Sequence, residues 1–226
     1  MPRFLHTADW QIGRPYSKFQ PVDAVPLAEA RLAAVETVAR LAGEHKVDAV
    51  LVARDVFDGQ MVAERKIREL LKALQRFPGP WLMFPGNHDA ALTESVWTRA
   101  QRLGALPANL HLALQGKVLG FPVMGFSALM GPLAQRHTYN DLTEWFDEAP
   151  TPSGHVRVGL AHGSVQGVLA EDIDSANPIG ADRATRARLD YLALGDWPII
   201  NAMRRPNSKK FTRGLLQRQY CMMNKE

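Results

Sequence analysis

The sequence predicts an α/β fold in which a largely parallel sheet is covered on both faces. Three observations predict it. Short apolar segments suited to buried strands alternate with segments whose apolar residues recur at helical spacing. Polar residues of metal-binding type follow the strands. With 46% hydrophobic residues, a chain of 226 can bury one substantial core.

Taken in order, Phe4–Ala8 reads as a first short buried strand. Ala28, Leu32, Val35, Ala39 and Ala42 share one helical face and predict a helix over roughly 26–43. Ala49–Ala53 is a second apolar strand. Ala63, Ile67, Leu70, Leu74 and Phe77 mark a second helix, stopped by Pro78-Gly79-Pro80. Trp81–Phe84 is the third strand, and residues 116–127 form strands broken around Pro122 and Gly125. Tyr139–Glu148 is expected as a short helix, and Val156–Ala161 and Tyr191–Leu194 as the last strands. Beyond Trp197 strand alternation is not evident, and Leu215, Leu216 and Tyr220 fit one short helix.

Composition narrows the setting. Cys221 is the single cysteine, so an intrachain disulfide is excluded, which suits a reducing compartment. Charge and a carboxylate interrupt the first nine residues, where a signal peptide needs an unbroken apolar run. A soluble, cytoplasmic protein without a membrane partner is expected. The net charge of +4 is unevenly spread: residues 197–226 hold 7 Lys/Arg against one Glu, for +6, leaving 20 against 22, or −2, in residues 1–196. The basic character therefore belongs to the tail, where a solvated surface accounts for it as well as a nucleic-acid contact.

The polar residues at the strand ends carry the functional argument. Asp9 follows the first strand, Asp55 the second, and Asn87-His88-Asp89 the third; His162 and Asp196 follow the last two. In an open α/β sheet, ligands collect beyond the carboxyl ends of the strands. Each residue alone reads as a cap or turn. Five segments delivering carboxylate, amide and imidazole groups to one edge point to a metal centre. Mixed oxygen and nitrogen donors suit Mn, Fe or Zn better than Ca or Mg.

The order Ala8-Asp9-Trp10-Gln11, Ala53-Arg54-Asp55, Gly86-Asn87-His88-Asp89, Ala161-His162-Gly163 and Gly195-Asp196-Trp197 resembles the motif series of calcineurin-like metallophosphoesterases. Gly-Asn-His-Asp is the most specific of these. Phe4-Leu-His-Thr-Ala-Asp-Trp10, with Leu51-Val-Ala-Arg-Asp-Val-Phe-Asp58, looks like the bacterial DNA-repair exonuclease branch related to the SbcCD nuclease subunit. The resemblance covers about residues 3–197. It implies a four-layer α/β/β/α sandwich, incomplete at the C-terminal end, with residues 1–197 as the metallophosphoesterase domain and 198–226 as a basic, atypical tail. It also implies two divalent ions, Mn by preference, and phosphodiester hydrolysis with DNA as substrate. An SMC-like ATPase subunit is the partner that it implies.

On that resemblance Asp9 and Gln11 would hold the first ion and Asp55 would bridge both. Asn87 and His162 would hold the second, with Asp196 in the place of a further ligand. His88 would protonate the leaving oxygen and Asp89 would orient it. The residue types suit the chemistry: paired cations clamp the attacking and leaving oxygens of an in-line displacement. A neutral amide adds a donor without further negative charge.

Three positions depart from the family pattern. Gln11 stands where a His is usual, Arg54 where a Gly precedes the bridging carboxylate, and Pro198 where a His is expected. Proline cannot ligate, and a cation at position 54 opposes metal charge. Elsewhere, His6 reads as a core histidine, and His137 equally as a phosphate contact and a surface-loop residue. Asp58 reads equally as a support to the site and as a cap at a helix start; Trp81, Trp97 and Trp145 read as packing. Two function classes follow: a phosphodiester hydrolase, acting on DNA or on small or cyclic phosphodiesters, and a catalytically impaired remnant that lost its first ion at Pro198.

Overall fold

In the computed structural model, residues 1–104, 106–166, 177–196, 199–203, 212–216 and 220–224 are described, with side chains up to Gly195. The elements run β1 (Phe4–Thr7), α1 (Pro21–Glu44), β2 (Ala49–Ala53), α2 (Glu64–Leu74), β3 (Trp81–Phe84), α3 (Val96–Arg102), β4 (Leu110–Leu112), β5 (Lys117–Phe121) and β6 (Phe126–Gly131). They continue with β7 (Val156–His162), β8 (Ser164–Val165), β9 (Pro178–Ile179), α4 (Arg183–Arg186), β10 (Tyr191–Asp196), β11 (Ile199–Met203), β12 (Thr212–Leu216) and β13 (Tyr220–Asn224).

Two sheets stack face to face. One has the order β12-β13-β1-β2-β3-β4 and the other β11-β10-β7-β6-β5. Their centres are parallel, β1 to β4 in the first and β6, β7 and β10 in the second, and antiparallel strands flank them. Side-chain alternation along each strand then makes the layers. Phe4, Ala49, Leu51, Leu82 and Phe84 face Phe126, Met130, Val158, Leu160 and Tyr191 between the sheets. Leu5, Val50, Val52, Trp81 and Met83 face Val35, Val38, Ile67 and Leu70 of α1 and α2. Leu129, Ala161, Leu192 and Leu194 pack outward against Phe146, Ala187 and Leu189. Three apolar interlayers make four layers, the α/β/β/α sandwich.

Phe4 meets Phe126 edge-on at 4.9 Å across the two sheets, an anchor between them. The strand expectations at 49–53 and 81–84 match residue for residue. The first helix starts earlier than expected, at Pro21, because proline at the first helical position is already set for the helix. Tyr139–Glu148 forms only a 3-10 turn at Glu144–Asp147. The helix expected at Leu215, Leu216 and Tyr220 is not formed. Those residues lie in β12 and β13, and β13 pairs antiparallel with the edge of β1. An open sheet edge offers a row of backbone partners that local sequence does not reveal. Among the described residues, no helix is long and apolar enough to cross a membrane.

Candidate metal centre

The turns after β1 and β2 are zipped together. Gln11 N donates to Asp55 O at 2.9 Å, Ile12 N to Val56 O at 2.9 Å and Asp58 N to Ile12 O at 3.1 Å. This pairing sets Asp9 beside Asp55 at the carboxyl ends of neighbouring parallel strands. It also forces unusual backbone: Asp9, Gln11, Arg54 and Asp55 have φ of 58°, 45°, 80° and 42°. Non-glycine residues in the left-handed region cost about 1–2 kcal/mol each. Strain of this kind concentrates where function needs a particular geometry.

Asp55 is buried, 1% exposed. Burial pushes its carboxyl pKa up, against the lowering influence of Arg54, the His88 N–H and the His88 charge. His88 N donates to Asp55 Oδ1 at 3.1 Å. The Asn87 carboxamide turns its nitrogen to both Asp55 oxygens, at 3.2 and 3.1 Å, the orientation that satisfies both groups. His162 is also buried; burial first, and the Arg54 charge second, lower its pKa to about 3, so the ring is neutral. Neutral imidazole is the form that binds a metal. Its Nδ1 lies 3.3 Å from the Gly195 carbonyl.

The Arg54 side chain runs into the middle of these groups. Its Nε donates to Asp9 Oδ1 at 2.8 Å and lies 3.6 Å from Asp55 Oδ2. Its Nη1 is 3.5 Å from His162 Nδ1. Gln11 is turned elsewhere, its side-chain oxygen accepting from Arg14. A cavity of about 210 Å³ opens beside Asp9, lined among others by Thr7, Trp10, Tyr16, Leu27 and Arg31.

A family model, calcineurin-like phosphoesterase, matches residues 2–217. The chain belongs to the calcineurin-like phosphoesterase family. The match extends beyond Trp197, where the motif series ends. No curated protein matches the chain. The crystal structure of TT1561 of Thermus thermophilus matches at a TM-score of 0.49 and 11% identity, covering 97% of this chain and 87% of that one.

Calcineurin-like phosphoesterases are metal-dependent phosphoester hydrolases and generally use a dinuclear divalent centre. The described residues offer donor types for that centre on one side only. Asp55, Asn87 and the neutral His162 are the side chains whose oxygen and nitrogen atoms could hold one ion. On the other side Asp9 is bonded to a guanidinium and Gln11 to Arg14. No group of three His, Cys, Asp or Glu residues placed to hold a metal occurs among the described residues. Asp196 ends β10, where the neighbouring Gly195 is in register with His162, but its side chain, with Trp197 and Pro198, lies outside the described residues.

The expected pairing of Asp89 with the His88 ring takes a different form. Asp89 is fully buried and accepts from Gly86 N at 2.7 Å and Phe57 N at 3.2 Å. Burial and the neighbouring Asp55 charge raise its pKa to about 7. The His88 ring is held by the Asp58 carbonyl, 3.0 Å from Nδ1. A carbonyl only accepts, so Nδ1 carries the hydrogen and Nε2 is the ring nitrogen left for other chemistry. Asp58 thus supports the site through its backbone oxygen, which a reading of side-chain types misses. His137 is exposed, and its charge is a minor cause of the lowered His162 pKa, behind burial and Arg54. His6 is a core histidine, its Nδ1 2.9 Å from Tyr191 Oη between the sheets.

Proposed function

We infer that the chain is a phosphodiester hydrolase acting on DNA, of the DNA-repair exonuclease type. The observation that carries this reading is the His88 ring. The residue is half-buried, its backbone N–H donates to the Asp55 carboxylate, and Nδ1 of the ring is fixed by the Asp58 carbonyl. Nε2, protonated in the imidazolium form, would give its proton to a leaving oxygen and return the ring to neutral. A bound divalent ion, Mn by resemblance, would lower the pKa of a water and draw electrons from the phosphoryl oxygens. Asp55, Asn87 and His162 would hold it, with Asp196 as a further donor. The remaining tasks fall to protein groups. Asp89 fixes the loop that carries Asn87 and His88, and the cavity beside Asp9, lined by Tyr16 and Arg31, would receive a nucleotide.

The test compares end-labelled linear duplex DNA, a cyclic nucleotide and bis-p-nitrophenyl phosphate as substrates, with Mn present and after chelation. Mn-dependent release of nucleotides from DNA ends supports the reading. Cleavage of the small phosphodiesters alone moves the substrate class to small molecules. Absence of turnover on all three, by folded protein loaded with Mn, supports the impaired remnant, which the seat of Arg54 favours.

A further inference from the structure

We propose that the Arg54 guanidinium is a resident cation of this site, filling the position between Asp9 and Asp55 and excluding a divalent ion from it. The inference rests on the hydrolase reading only for the place where metals would lie.

Four observations carry it. The first is geometry: one guanidinium reaches Asp9 at 2.8 Å, Asp55 at 3.6 Å and His162 at 3.5 Å, three side chains delivered by three strands. A surface arginine would not meet a second carboxylate and a buried imidazole together. The second is burial. Arg54 is 7% exposed, and a buried charge is tolerated only where opposite charge compensates it. Asp9 and Asp55 supply that charge, the same charge a divalent ion would need.

The third is the room made for the side chain. At Gly195 a Cβ would collide with the Ala53 carbonyl oxygen and with Cγ and Cδ of Arg54; at Gly86 it would collide with the Asp55 carboxylate and crowd Arg54 Cβ. The arginine therefore threads between two glycines rather than lying over the site. The fourth is the rest of the expected first shell. The Gln11 side-chain oxygen is engaged by Arg14 and Asp9 by the guanidinium, so both expected first-ion donors already accept from an arginine.

The consequence is a site with one fixed positive charge, in which Asn87 and His162, away from the Asp9 pair, are the side chains that could hold a single divalent ion. The guanidinium, with donors in a rigid planar fork, can also offer an N–H to a phosphoryl oxygen. It cannot activate a water as a metal does, so the chain is expected to differ from a dinuclear relative in metal count first.

The experiment is metal analysis of the whole chain after Mn loading and removal of free metal. Wild type, Asp9→Asn and Arg54→Gly are compared by Mn per chain and by thermal unfolding with and without Mn. The proposal expects at most one Mn in wild type, an unchanged count in Asp9→Asn, and about one more Mn per chain in folded Arg54→Gly. It also expects Mn to raise the melting temperature of Arg54→Gly more than that of wild type. Two Mn in wild type, a lower count in Asp9→Asn, or a folded Arg54→Gly that gains none would overturn it. If Arg54→Gly does not fold, the wild-type and Asp9→Asn counts decide. These readouts are independent of substrate, so failure of the hydrolase reading leaves them intact.

Discussion

Arg54 Nε donates to Asp9 Oδ1 at 2.8 Å, joining the turn after the second strand to the carboxylate after the first. Both residues have positive φ, 80° and 58°. The chain thus bears backbone strain on each side of one ion pair. That ion pair is the point at which this member of the family departs from a two-ion site.

The proton donor is tested by His88→Ala. Nδ1 is fixed on the Asp58 carbonyl, so the ring would act through Nε2, as the acid of the reaction in this reading. Turnover on a phosphodiester is expected to fall by about 10²–10⁴-fold, with Mn content unchanged. Parallel loss of Mn would make His88 a ligand instead.

Asp89→Ala removes the acceptor for two buried backbone N–H groups, of Gly86 and Phe57. Each orphaned donor is expected to cost about 1–3 kcal/mol. Urea unfolding should show that loss, with less in Asp89→Asn, whose amide oxygen keeps one acceptor. Equal stability of both variants with wild type would contradict the role.

A buried ion cluster holds the loop near the site. Arg183, 1% exposed at its side chain, pairs with Asp141 at 2.8 Å and Asp147 at 2.6 Å. Asp141 is held below the usual carboxylate range: burial works against its charge, and bonds from Thr143, Gly180 and Arg183 outweigh it. Arg183→Met is expected to cost about 3–5 kcal/mol, because the largely buried Asp141 carboxylate loses its arginine while Asp147 keeps only the exposed Arg186 at 2.9 Å. Chemical unfolding measures it, and a loss under 1 kcal/mol, in the range of about 0–1 kcal/mol for surface pairs, would contradict the assignment.

His6 gives a pH dependence. Burial lowers its pKa from 6.5 to about 3, so the folded chain holds the ring neutral. Above pH 6.5 neither state is charged and His6 contributes nothing. As pH falls from 6.5 towards 3 the unfolded chain takes up a proton that the folded chain refuses. Stability therefore falls by about 1.4 kcal/mol per pH unit from this residue. His6→Gln, which keeps a hydrogen-bonding group but does not titrate, should flatten the stability profile between pH 6 and 4. An identical slope in both proteins would show that His6 titrates normally.

Much of this was legible in the residues because the fold writes it in periodicity. Ala49–Ala53 and Trp81–Phe84 are short, wholly apolar and parallel-buried, and Asp55 and Asn87 follow them within a turn. What the sequence could not carry is long-range partnering. The strands at 212–216 and 220–224 depend on the edge of β1, and local composition there suggested a helix. The Asp58 contribution is a backbone carbonyl, which residue type does not encode. Arg54 was visible as a departure from glycine. Its route between Gly86 and Gly195 into the Asp9 and Asp55 carboxylates is a property of the assembled turns.

The occupancy of the site is tested most directly by anomalous scattering at the manganese edge from crystals of the unmodified chain grown with Mn. A single Mn peak is expected beside Asp55, Asn87 and His162, with the Arg54 guanidinium still on Asp9. Two peaks about 3.5–4 Å apart, bridged by Asp55 with Asp9 on one of them and Arg54 displaced, would contradict a resident guanidinium.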